Sequence, residues 1–172
     1  MVGATGNLSK WNSTIKRRQA NSFRVDSRRI MNNDFHSPEA YELFIYTVQQ
    51  KYRSIRWSTL CFVRRGSTLA RIAGDLYFNA DYRLAVRQRL VFERLPIVIS
   101  EYGYEIWKGS DKLCWYDSQP HPGEPALQST HPHHKHIPPD MKHHRIPAPG
   151  MSFDKPNLPS LISEIETLIE KV

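Results

Sequence analysis

The chain has 172 residues, 40% hydrophobic and 24% charged, which suits one domain that buries its core without disulfides or a structural metal. No apolar run approaches the roughly 18 residues of a membrane-spanning helix, and no signal-peptide block opens the chain, so the expectation is a cytoplasmic protein with no membrane contact. The net charge of +7 is uneven: residues 1–30 hold seven Lys or Arg against Asp26, leaving only about +1 for the rest. Global basicity is therefore a weak argument for a nucleic-acid groove on the domain itself. Cys61 and Cys114 lie far apart and outside any C-x-x-C spacing, and read as reduced core cysteines.

Residues 1–34 are rich in Asn, Ser, Lys and Arg with few spaced apolars, and are predicted to be a disordered basic tail. One domain is expected over 35–172. A helix starts at Ser37-Pro38-Glu39, where Ser37 caps, Pro38 fits the first turn and Glu39 complements the positive helix end. Tyr41, Phe44, Ile45, Val48 and Tyr52 share one face, and the helix should end near Tyr52. The period then shifts to alternation. Five strands are predicted, over 56–65, 70–79, 82–93, 97–107 and 112–117, joined by short turns into an antiparallel meander. The third has Leu84, Val86, Leu90 and Phe92 on one side and Arg83, Arg87 and Arg89 on the other. Residues 118–157 are proline-rich and aperiodic, a long loop of the kind that is functional or disordered. A last helix carries the stripe Leu158, Leu161, Ile162, Ile165, Leu168, Ile169 and Val172. The class is α+β: an antiparallel β-meander packed with an N-terminal and a C-terminal helix.

The chemistry concentrates in the long loop. Seven of the eight histidines fall between His121 and His144, four of them in HPHHKH at 131–136. Prolines keep this run out of a helix, and in extended chain alternate side chains share a direction. His134 and His136 should therefore point one way, and His131 and His133 the other. Lys135, Lys142 and Arg145 lie close by, and Tyr116 and Asp117 end the last strand just before the loop.

Two chemistries fit. In metal-free RNA cleavage, His134 and His136 form a His-x-His acid–base pair, because imidazoles titrate near neutrality. Asp117 would orient an imidazole, and Lys135 would offset charge on the phosphorus. Arg145, Lys142, His131 and His133 would help hold substrate, and Arg87 and Arg89 would extend an RNA track. No cofactor is needed on this reading. In the alternative, His134, His136 and Asp117 hold zinc or a similar metal in a hydrolase. A non-enzymatic module that binds RNA or protein is a third class.

The order of a β-meander, then WYDSQPH, then HPHHKH, then an amphipathic helix resembles the TumE-like toxins of bacterial type II toxin–antitoxin systems. The matching residues are Tyr116, Asp117, His134, Lys135 and His136, and the likeness spans roughly residues 55–172. Ser118 stands where the family usually has Asn, and residues 1–34 have no counterpart. The resemblance implies a growth-inhibiting toxin with a cognate antitoxin protein as partner and RNA as substrate, and places Tyr116 with the catalytic set. Homodimerisation is left open.

Overall fold

The computed structural model describes residues 35–171; the predicted basic tail lies outside the described residues. Helix α1 is Pro38–Lys51, and the Ser37 side chain accepts a hydrogen bond from the Ala40 amide at its start. Strands β1 (Ile55–Ser58), β2 (Cys61–Arg65), β3 (Leu69–Phe78), β4 (Tyr82–Val91), β5 (Val98–Lys108) and β6 (Asp111–Asp117) follow. The long loop then contributes β7 (His134–His136) and β8 (Arg145–Pro147), and α2 (Leu158–Glu170) closes the domain. Among the described residues no helix is long and apolar enough to cross a membrane.

All strands join one antiparallel sheet in the order β1-β3-β4-β5-β6-β7-β8, with β2 also on β3. The α+β class and the two flanking helices are as the sequence implied, but the sheet has eight strands instead of five. Two departures account for the difference. The predicted first strand breaks at Thr59 and Leu60, so β1 pairs with the end of β3 and β2 with its start. Opposite the break, Gly74 adopts φ +135, and a Cβ there would collide with the Thr59 carbonyl. The loop adds β7 and β8, each of three residues, too short for alternation to register.

The pleat gives the sheet two unlike faces. Ile72, Leu76, Leu84, Val86, Leu90, Ile99, Tyr104 and Ile106 are buried on one. Against them pack Tyr41, Phe44, Ile45 and Val48 of α1 and Leu158, Leu161, Ile162 and Ile165 of α2. A fully buried side chain of this size contributes about 1.5–3 kcal/mol, so these eight positions hold both helices on the sheet. Polar groups inside this core are paired: Tyr41 donates to Gln88 (3.0 Å), and Gln88 and Asn157 both donate to the Tyr104 hydroxyl (2.7 and 3.0 Å). Burial also pushes the Cys114 thiol up to about 11.

The other face carries Arg83, Arg87 and Arg89 of β4, opposite Trp107, Gly103 and Glu101 of β5. No helix covers it. The loop folds over it only at the β6–β8 end.

Replacing Gly74 with alanine forces either the collision with Thr59 or a backbone shift at the strand break. We expect a loss of about 2–4 kcal/mol in urea unfolding. In a thiol-reagent titration near pH 8, exposed Cys61 should react at once, whereas Cys114 should react only on unfolding.

Candidate active site

Three register pairs decide the site. β6 and β7 match Trp115 with His136, Tyr116 with Lys135, and Asp117 with His134. Alternation then sends Trp115, Asp117, His134 and His136 to the open face, and Tyr116 and Lys135 to the helix face.

On the open face the two imidazoles converge. Their Nε2 atoms are 3.0 Å apart. Asp117 places Oδ1 at 3.2 Å from Nε2 of His134 and Oδ2 at 3.6 Å from Nε2 of His136. Each ring is fixed from behind. Nδ1 of His134 lies 3.0 Å from the Pro132 carbonyl, and Nδ1 of His136 lies 2.8 Å from the Met141 carbonyl. A carbonyl only accepts, so the hydrogen-bond network assigns the hydrogen of each ring to Nδ1. His134 and His136 are almost wholly buried, with side-chain exposures of 1% and 2%. Burial, followed by the neighbouring His134, lowers the pKa of His136.

Groups that the sequence reasoning missed complete the shell. Trp115 stacks on His136 with centroids 3.9 Å apart, and its Nε1 donates to Asp117 Oδ2 at 3.1 Å. The Gln119 amide donates to Asp117 Oδ1 at 2.8 Å. His121 meets the His134 ring edge-on at 4.8 Å. Trp115 was findable, since it sits two positions before Asp117 on one strand. His121 and Gln119 had no signal, because loop folding brings them in.

The remaining predicted residues separate. Lys135 and Tyr116 both bind the Glu164 carboxylate on α2, so neither faces the imidazoles. The string Tyr-Asp and His-Lys-His therefore mixes two faces of the sheet. Lys142 and His131 are exposed loop residues. His133 turns away, with Nδ1 2.8 Å from the Tyr102 hydroxyl and its ring against Phe153. Arg145 pairs in register with His136 and so shares its face. Its Nε is, among the described residues, the buried side-chain polar atom without a partner. Ser118, in place of the usual Asn, accepts a hydrogen bond from the Tyr102 amide at 3.0 Å.

From Asp117 a cavity of about 990 Å³ runs across the open face, lined by Arg71, Arg87, Arg89, Lys112, Trp115 and Phe153, among others. One row of the sheet reads Ala73, Arg87, Gly103, Asp117, His134. Gly103 leaves room for the Arg87 guanidinium to lie across it, 3.7 Å from where a Cβ would stand. Arg87 and Lys112 share Glu105 as ion-pair partner, each at 3.2 Å.

The family model described as Toxin TumE matches residues 45–169. The chain belongs to the TumE toxin family. It is thus a toxin of the toxin–antitoxin class, and an antitoxin protein is the partner that membership implies. No curated protein and no solved structure matches the chain. The match covers all of β1–β8, the second half of α1 and nearly all of α2, so the Asp117–His134–His136 cluster lies inside the TumE region.

Glu164 is what ties the reverse side of this TumE site to α2. Changing it to alanine leaves the Lys135 ammonium and the Tyr116 hydroxyl without their acceptor in a half-buried place. Urea unfolding should show a loss of about 1–3 kcal/mol, and the double change with Lys135→Met should recover part of it.

Proposed function

We propose that this toxin is an endoribonuclease that breaks phosphodiester bonds at the Asp117–His134–His136 cluster. The observation that carries the polyanion reading is a pair of like charges. Arg71 and Arg89 stand directly opposite each other on β3 and β4, both line the cavity, and neither has an ion-pair partner among the described residues. Like charges in register destabilise a sheet, so the pair has no use in folding alone. A chain of phosphates laid across the face would offset that repulsion. Glu101, opposite Arg89 on the far side, tempers the charge without an ion pair to it.

The chemistry follows from the acceptors. In phosphoryl displacement the attacking and leaving oxygens lie on opposite sides of phosphorus. An acid and a base serving them must point at different sides. Here the two Nε2 atoms face each other at 3.0 Å, with no room for phosphorus between them. His134 and His136 therefore work as one centre on one oxygen. With Asp117 they draw the proton from the attacking hydroxyl, either the ribose 2′-hydroxyl or water. The new O–P bond forms, the bond to the leaving oxygen breaks, and that oxygen takes its proton from solvent in the open cavity. Arg145, in register with His136, would balance charge on the phosphoryl oxygens.

Induced expression in a bacterial host is the direct test. Wild type should arrest growth and degrade RNA, and His134→Gln or Asp117→Asn should lower the cleavage rate of purified protein at least about 100-fold. Undiminished cleavage by both variants would remove this site from the reaction. Arg71→Ala with Arg89→Ala should weaken RNA binding and reduce the salt dependence of affinity by about one counterion for each arginine removed. A matched DNA strand serves as the control for the substrate class.

A further inference from the structure

We propose that Asp117, His134 and His136 bind one divalent first-row metal ion of the zinc class, between the two Nε2 atoms and the carboxylate. An ion there would take the Nε2 lone pairs, so the proton uptake by the imidazoles described above belongs to the metal-free centre; any catalytic role of the ion rests on the ribonuclease reading, but its binding does not.

The lone pairs of the cluster lead to this. Nδ1–H of each ring is committed to a backbone carbonyl, Pro132 for His134 and Met141 for His136. With Nδ1–H so committed, a ring that carries a single hydrogen turns an acceptor Nε2 inward. They face each other at 3.0 Å, and the Asp117 oxygens stand 3.2 and 3.6 Å away. With one hydrogen on each ring, three acceptor groups thus meet with no donor among them, in a place where the imidazoles have almost no contact with water. Acceptors desolvated in this way repel one another unless something positive lies between them.

The spacings suit a metal. Ligand bonds of about 2.1 Å at a tetrahedral angle put neighbouring donor atoms about 3.4 Å apart; the two Nε2 atoms stand 3.0 Å apart, the carboxylate oxygen nearest each ring stands at 3.2 and 3.6 Å, and one donor atom from each of the three residues lies within 4.8 Å of the others. The donor set, two imidazoles and one carboxylate, matches borderline divalent cations better than magnesium or calcium, which prefer all-oxygen cages. The surrounding shell is also of the metal-site kind. Backbone carbonyls hold the far nitrogen of both rings, while Trp115 Nε1 and the Gln119 amide donate to the two carboxylate oxygens. Metal-site partners outside the ligands do this work of fixing tautomer and orientation. Asp117 also borders the cavity, so the centre opens to the face proposed for RNA. A dication with one carboxylate leaves one net positive charge beside Arg145, an arrangement that favours an anionic ligand on the cavity side.

Untagged full-length protein, stripped with EDTA and dialysed, should be titrated with zinc by calorimetry and with cobalt by visible absorption. We expect one equivalent of each, with the strong visible bands of a low-coordinate cobalt site, and zinc displacing cobalt. His134→Gln and Asp117→Asn should each weaken binding at least about 100-fold. His143→Gln with His144→Gln, exposed loop positions, should leave it unchanged. Zinc should also raise the melting temperature of wild type but not of Asp117→Asn, a readout that needs only the conservative variant to fold. Binding that survives in His134→Gln and Asp117→Asn, or that vanishes in His143→Gln with His144→Gln, would overturn the assignment. So would the absence of stoichiometric binding, with a proton as the occupant. One equivalent of metal on a protein inert toward RNA supports the metal site and refutes the ribonuclease reading. Full RNA cleavage by stripped protein that takes up no metal does the reverse.

Discussion

The pairing of three residues of β6 with three of β7 is the constraint on which the rest of this molecule depends. It is a short ladder, yet the pleat turns it into a sorting device. Every second side chain of WYD and HKH goes to one face and the others go to the reverse. On the reverse, Lys135 and Tyr116 meet Glu164 and anchor the ladder to α2. On the front, Asp117, His134 and His136 meet one another. A slip of one residue would exchange the two sets and bury an ammonium where the imidazoles now lie. Glu164 and the imidazole cluster are therefore two sides of one register.

The fold allows this because both helices occupy the same face of the sheet. Among the described residues neither helix lies on the opposite face, and β3, β4 and β5 present arginines and their partners across it. Side chains with no role in the core collect there: the in-register pair Arg71 and Arg89, Arg87 resting over Gly103, and Trp115 flat against His136. By count, nearly all of the chain's excess charge lies in the first thirty residues. Charge that matters for a polyanion is a matter of arrangement, and the sheet arranges few cations on one side.

What the sequence made legible follows from periodicity. Ser37-Pro38-Glu39 marked the start of α1, alternation separated the arginines of β4 from its apolar side, and the two-residue spacing put His134 and His136 on one side. The same rule, applied to Tyr116 and Lys135, places them opposite, which a reading of motif strings as sets obscures. Other features were out of reach. The break at Thr59 and Leu60 depends on Gly74 in a different strand. Arg71 stands across from Arg89 only through the β3–β4 register. β7 and β8 are too short to alternate visibly, and their pairing comes from the folding of a proline-rich loop around backbone carbonyls. The likeness to TumE toxins rested on few residues within roughly 55–172, and the family match over 45–169 carries it back into the second half of α1.

The central claim is that both imidazoles keep their hydrogen on Nδ1 and turn a bare Nε2 toward Asp117. Nitrogen–proton correlation spectra of ¹⁵N-histidine-labelled, metal-free protein read this directly, with His134→Gln and His136→Gln giving the assignments. The account predicts a protonated Nδ1 on both rings, protected from exchange by the Pro132 and Met141 carbonyls. A ring of His134 or His136 with a bare Nδ1 and a protonated Nε2 would contradict it, because that imidazole would then present a donor, not a lone pair, to its partners.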